Sequence, residues 1–157
     1  MIDHHAALIQ TMFLVAAADE EMTDAEVDII GDIVNHLPVF RDYDNDRFEA
    51  TLAESAELLG RDDGLEEGLQ SIKEALPKKL WETAYALACD VVAADGEATQ
   101  EELRILELLR HRLSIDRLVA TAIERAARAR FMTMSAGLVL KPLSCTAGEG
   151  GTRETGG

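Results

Sequence analysis

Ala16-Ala17-Ala18-Asp19-Glu20-Glu21-Met22-Thr23-Asp24-Ala25-Glu26-Val27-Asp28-Ile29-Ile30 recurs 76 positions later as Val92-Ala93-Ala94-Asp95-Gly96-Glu97-Ala98-Thr99-Gln100-Glu101-Glu102-Leu103-Arg104-Ile105-Leu106. Both stretches read as the end of one helix, an acidic turn and the start of the next. Thr23 with Glu26, and Thr99 with Glu102, have capping-box spacing: the hydroxyl accepts from the N–H three residues on, and the glutamate reaches back to the threonine N–H. Leu37 falls on Leu113 at the same offset of 76. Asp46-Arg47-Phe48-Glu49-Ala50-Thr51-Leu52 resembles Asp116-Arg117-Leu118-Val119-Ala120-Thr121-Ala122 at an offset of 70, because the first loop is longer. Each half is therefore helix, acidic turn, helix, loop, helix, which is an internal duplication.

Working outward, the apolar spacing is helical almost throughout. Leu8, Met12 and Val15 share a face, as do Val27, Ile30 and Val34. The spacing predicts helices at about 5–18, 24–36, 46–59, 65–75, 78–93, 100–112 and 116–132, with Asp46 as N-cap of the third. Pro38, Pro77 and Pro142 lie where helices should stop or start. No segment alternates with period two. The expected fold is all-α: a compact seven-helix bundle of two pseudo-symmetric three-helix units, about 4–59 and 78–132, joined by a short helix. Residues 1–135 form the expected domain. Residues 136–157 hold six of the eleven glycines and read as a flexible Gly/Thr-rich tail outside fold and function.

The formal charge of −15 excludes several partners. A phosphate backbone and an anionic membrane surface are both repelled, so neither nucleic acid nor direct membrane insertion is expected. The charge is uneven: residues 1–103 hold 25 of 30 acids and 6 of 15 Lys/Arg, a net of −19, whereas 104–157 carry +4. The later, basic segment is expected to pack on the acidic early helices. Ala6–Ala18 loosely resembles a signal peptide, but Asp3, His4 and His5 precede it and Gln10 interrupts it, so it reads as a core helix. Cys89 and Cys145 form no disulfide framework, which fits a reduced, cytoplasmic setting.

Capping leaves one feature of the turns unexplained. Asp-x-Glu precedes each cap, as Asp19-x-Glu21 and Asp95-x-Glu97, and the end of a helix favours cations rather than carboxylates. One reading is a helix junction alone. The other is a divalent cation (Ca²⁺, Mg²⁺ or Mn²⁺) held by Asp95, Glu97 and Glu102 and by Asp19, Glu21 and Glu26. The second turn is the better site, because Gly96 accepts a left-handed backbone and Glu20, its counterpart, does not accept one readily. Asp42, Asp44 and Asp46 have the opening rhythm of an EF-hand but lack its glycine and its closing glutamate, so they read as loop. His4 and His5 lie at a fraying end, and His36 and His111 late in helices, where an imidazolium suits the dipole. Cys89 has no adjacent base, and no nucleophile elbow, P-loop or zinc-helix motif appears. The chain does not read as an enzyme.

Ala-Ala-Asp-Gly-Glu-x-Thr-x-x-Glu-Leu at 93–103, with the weaker copy at 17–27, resembles the tellurite-resistance TerB family over about residues 4–132. The resemblance implies a compact seven-helix fold, a bacterial cytoplasmic location and a link to tellurite and other chemical stress. It also implies metal binding through Asp95, Glu97 and Glu102, and less directly Asp19, Glu21 and Glu26, with membrane-associated Ter proteins as partners. A related domain stands beside J-domains in co-chaperones. Two functions are thus expected side by side: a non-enzymatic stress-response protein binding a divalent metal, or a metal-independent interaction module whose acidic face holds a basic partner.

Overall fold

The computed structural model describes residues 1–20 and 22–134; the expected tail at 136–157 lies outside the described residues. The helical spacing becomes seven α-helices: α1 His4–Ala16, α2 Asp24–His36, α3 Phe48–Leu59, α4 Gly64–Ala75, α5 Trp81–Ala94, α6 Gln100–Arg112 and α7 Arg117–Arg130. No strand occurs among the described residues, so the bundle is all-α.

Local chemistry sets the helix starts. Asp3 accepts the Ala6 N–H at 2.8 Å, and that bond together with Arg47 holds its carboxyl below the usual range. Thr23 and Thr99 complete both capping boxes. Asp116 accepts from the N–H groups of Leu118 and Val119 and starts α7. The third helix departs from expectation. Asp44, not Asp46, accepts a backbone N–H there, opening a 3₁₀ turn at Asn45–Arg47, and α3 begins at Phe48. A 3₁₀ turn also stands at Pro38–Phe40, and another at Lys78–Leu80 precedes α5. The aspartates at 46 and 116, aligned in sequence, therefore play different parts.

The duplication is visible in the packing. Helices α1 and α5, one from each half, lie against each other at the centre. Helix α3 leans on α1 as α7 leans on α5, and α2 crosses to α5 as α6 crosses to α1. That exchange is what a pseudo-twofold relation requires. The central helices carry the core: Ala7, Leu8, Ile9, Met12 and Val15 are fully buried, as are Ala84, Ala88 and Val91. Their small residues allow close helix approach, and each fully buried Leu or Ile contributes about 1.5–3 kcal/mol. Helix α4 is more than a joiner: it packs on α1, α3 and α6, burying Leu69 and Ile72. Gln10, the interruption in α1, is buried and its Nε2 donates to the Gly68 carbonyl at 3.3 Å, tying α1 to α4.

Expected pairing between basic and acidic segments occurs at two points. Arg112 reaches Glu66 and Gln70 on α4, and Arg130 reaches Asp90 on α5.

Each acidic turn contains one left-handed residue, Gly96 at φ 86° and Glu20 at φ 64°. Glycine adopts that conformation freely, while a side chain costs about 1–2 kcal/mol. Glu20→Gly is therefore expected to stabilise the protein by about 0.5–1 kcal/mol, after allowing for glycine's greater freedom in the unfolded chain. Urea unfolding of the variant checks this; a loss of stability would mean the strain is relieved elsewhere.

Candidate metal centre

The two capping boxes place their glutamates face to face. Glu26 Oε2 accepts the Thr23 N–H at 2.7 Å and the Thr23 hydroxyl at 2.9 Å. Glu102 Oε2 accepts the Thr99 N–H at 2.7 Å. Helices α2 and α6 both pack on the α1–α5 pair, and the two carboxylates are only 2% and 1% exposed. Asp95, at the end of α5, joins them from the solvent side, with its Oδ1 accepting the Glu97 N–H at 3.2 Å. One carboxylate oxygen each from Glu26, Asp95 and Glu102 lies within 4.8 Å of the other two. Ligands of one ion at about 2.0–2.6 Å from the metal lie no more than about 4–5 Å apart, so the three fit a single coordination sphere.

The sequence places one acidic focus at each turn; the structure gathers one focus between them. Glu26 comes from the first half, Asp95 and Glu102 from the second. Glu97 contributes its backbone N–H rather than its carboxylate to this group. Asp19 stands close enough for its charge to raise Asp95 but is not among the three. Glu21 lies outside the described residues. Convergence across the halves has no one-dimensional signature beyond the shared capping boxes.

The electrostatics of the triad are unfavourable as they stand. Burial pushes the Glu102 carboxyl up to about 7, the Thr99 N–H opposes this, and contact with Glu26 and the charge of Asp95 raise it further. Burial also raises Asp95, against the Glu97 N–H, with Glu26 and Asp19 adding to the rise. Glu102 Oε1 is buried with no hydrogen-bond donor among the described residues. An ionised oxygen so placed costs several times what a hydrogen-bonded one does. Two things can satisfy it: a proton shared with Glu26, or a cation. Three carboxylates and no nitrogen or sulfur ligand suit a hard divalent ion.

The other singled-out residues stand apart from this group. Asp42, Asp44 and Asp46 serve the first loop. His36 Nδ1 lies 2.8 Å from the Asp32 carbonyl in the last turn of α2, and His111 lies 3.9 Å from Glu107. Cys89 is buried, which pushes its thiol up to about 12. Cys89 meets the Tyr85 hydroxyl, which in turn donates to Glu124 Oε1 at 2.5 Å, and a thiol raised by burial is a weak nucleophile. No helix among the described residues is long and apolar enough to cross a membrane. No protein-family model, curated protein or solved structure matches the chain.

Proposed function

We propose that this chain is a non-enzymatic, metal-responsive protein that binds one divalent cation between its two halves through Glu26, Asp95 and Glu102. The observation that carries the reading is the buried, donorless Oε1 of Glu102 facing two further carboxylates. Ca²⁺, Mg²⁺ and Mn²⁺ are the ions that such an all-oxygen set accepts, with water completing the sphere on the exposed Asp95 side. The cation would cancel repulsion that the fold otherwise bears and would hold α2 against α5 and α6. The likeness to the TerB family adds a cytoplasmic role in tellurite or related chemical stress, with membrane-associated Ter proteins as partners that read the metal-bound state.

Calorimetric titration with each of the three ions tests the proposal. One-to-one binding is expected, weakened at least tenfold in Asp95→Asn and unchanged in Glu97→Gln. Asp95 is exposed, so its variant should fold normally. Equal binding by wild type and Asp95→Asn, or no heat at millimolar ion, removes the metal reading. The second reading is a metal-independent adaptor. Asp24, Asp28 and Asp32 lie exposed along α2, a negative face suited to a basic partner. Partner binding that is indifferent to chelator and weakens steeply with salt would favour it.

A further inference from the structure

The duplicated halves differ in the length of the connection between their second and third helices. In the first half, the connection from α2 to α3 runs from Leu37 to Arg47 and folds two aromatic rings back onto the unit. Phe40 is buried and stacks on His5 with ring centroids 5.8 Å apart, while the Tyr43 hydroxyl lies 3.3 Å from Thr51 Oγ1. In the second half, only residues 113–116 join α6 to α7, and they bring no ring. Thr121, the counterpart of Thr51 at the offset of 70, instead lines an open groove of about 640 Å³ between α6 and α7, floored by α5.

The groove has a ligand site's chemistry. Its floor is Tyr85, Cys89, Val92 and Ala93, with Leu106 and Ala120 on the walls. At its far end Leu103 and Met132 remain 44% and 62% exposed, an apolar surface without a cover among the described residues. Volumes of about 300–1,000 Å³ with apolar walls and few polar groups are typical of small-molecule sites. The rim carries Arg110, Arg117 and Arg128, and none of the ion pairs among the described residues includes them. Of its two acids, Glu124 Oε1 accepts the Tyr85 hydroxyl at 2.5 Å, and Glu107 lies 3.9 Å from His111, whose Nε2 stands 3.1 Å from Arg110 Nη2. In a chain of net charge −15, this is a local basic mouth on an apolar slot. Arg110 sits near the end of α6 and Arg117 opens α7, so the short connection sets both at the same mouth. From there to Phe131 the slot follows α7 for about 20 Å, at about 1.5 Å per residue.

We propose that this groove binds a single-chain amphipathic anion, a fatty carboxylate, with its head between Arg110 and Arg117 and its chain along α5 toward Phe131 and Met132. The groove passes Thr121, the counterpart of the Thr51 that the Tyr43 hydroxyl meets in the other half. Arginine gives a carboxylate a two-pronged donor that a neutral or cationic head cannot use. The far end of the groove abuts the second acidic turn at Gly96, Ala98 and Leu103, but none of the three triad carboxylates lines it, and neither proposal depends on the other.

Dodecanoate, kept below its micelle concentration, is titrated into the 157-residue chain by calorimetry, with dodecyltrimethylammonium in parallel. Saturable one-to-one dodecanoate binding is expected, at least tenfold weaker in Arg110→Gln/Arg117→Gln and absent in Thr121→Trp, whose indole would fill the slot. Far-UV circular dichroism checks that both variants keep their helices. Absence of saturable binding to the wild type overturns the proposal. So does equally tight binding of the ammonium, or binding unchanged in both variants. A wild-type dimer by sedimentation that takes up no dodecanoate and becomes monomeric in Thr121→Trp would assign the groove to a second copy of the chain, and would equally overturn it.

Discussion

Glu102→Gln is expected to raise the stability of the metal-free protein at pH 8 by on the order of 2 kcal/mol and to abolish any stabilisation by metal. The glutamine carbonyl can still accept the Thr99 N–H, since a capping box tolerates glutamine. Its amide also supplies the donor that the Glu102–Glu26 contact lacks. The sign with pH follows from the direction of the shift. Glu102 titrates at about 7 in the fold against an ordinary value of 4.5, so the fold prefers the protonated form. Below the ordinary value neither state is ionised and the group costs nothing. Between the two values the unfolded chain sheds a proton that the folded chain keeps, and stability falls. Above about 7 the full cost is present. Metal-free wild type should therefore lose stability from pH 5 to pH 8, while the variant should not lose this contribution. Metal reverses the dependence, because its ligand must be deprotonated, so affinity should fall by up to about tenfold per pH unit below 7. Urea unfolding at both pH values, with and without Mg²⁺ or Ca²⁺, checks all of this. A variant less stable than wild type at pH 8 would show that Glu102 is comfortably ionised and the triad electrostatics misread.

Gly64→Ala is expected to cost about 3 kcal/mol or more, and to lower the melting temperature by roughly 10 °C in a protein of this size. Gly64 opens α4 directly against the end of α3. A Cβ there would lie 2.1 Å from the Leu58 carbonyl oxygen and 3.0 Å from Leu58 C and Leu59 Cα. All three are backbone atoms, so relief requires the α3–α4 turn to open. Gly68→Ala is the matched comparison: its Cβ would meet Leu14 Cδ1 at 3.2 Å and Gln10 Nε2 at 3.4 Å, side-chain ends that can shift. Thermal unfolding should rank Gly64→Ala well below Gly68→Ala. Equal melting temperatures would mean that the junction between α3 and α4 is far more pliant than its geometry implies.

The helices were legible because the apolar rows repeat at helical spacing and because Thr-x-x-Glu marks two starts without ambiguity. The duplication was legible for the same reason, and with it the strained position of Glu20. What escaped depends on the path between helices. Asp46 has the spacing of a cap, and only the 3₁₀ turn at Asn45–Arg47 hands that part to Asp44. Helix α4 buries one face, Gly64, Gly68, Leu69 and Ile72, and its own residues do not say that this face is shared by α1, α3 and α6. The carboxylates of the triad were all singled out, yet as members of two turns. Joining Glu26 to Asp95 and Glu102 requires knowing that α1 and α5 cross as a pair, which is a statement about long-range packing and not about spacing. The groove escaped altogether, because it lies between α6 and α7 over α5, and the packing of three helices has no signature in the residues of 113–116.

The double duty of Glu26 and Glu102 has a consequence for how this chain can vary. Each side chain punctuates its own helix and also meets its twofold-related twin. Moving either start by one residue would swing that carboxylate about 100° around the helix axis, away from its opposite number. The spelling of two short local phrases thus doubles as an alignment mark for the whole molecule, and drift in one copy is tolerable only if the other copy drifts to match.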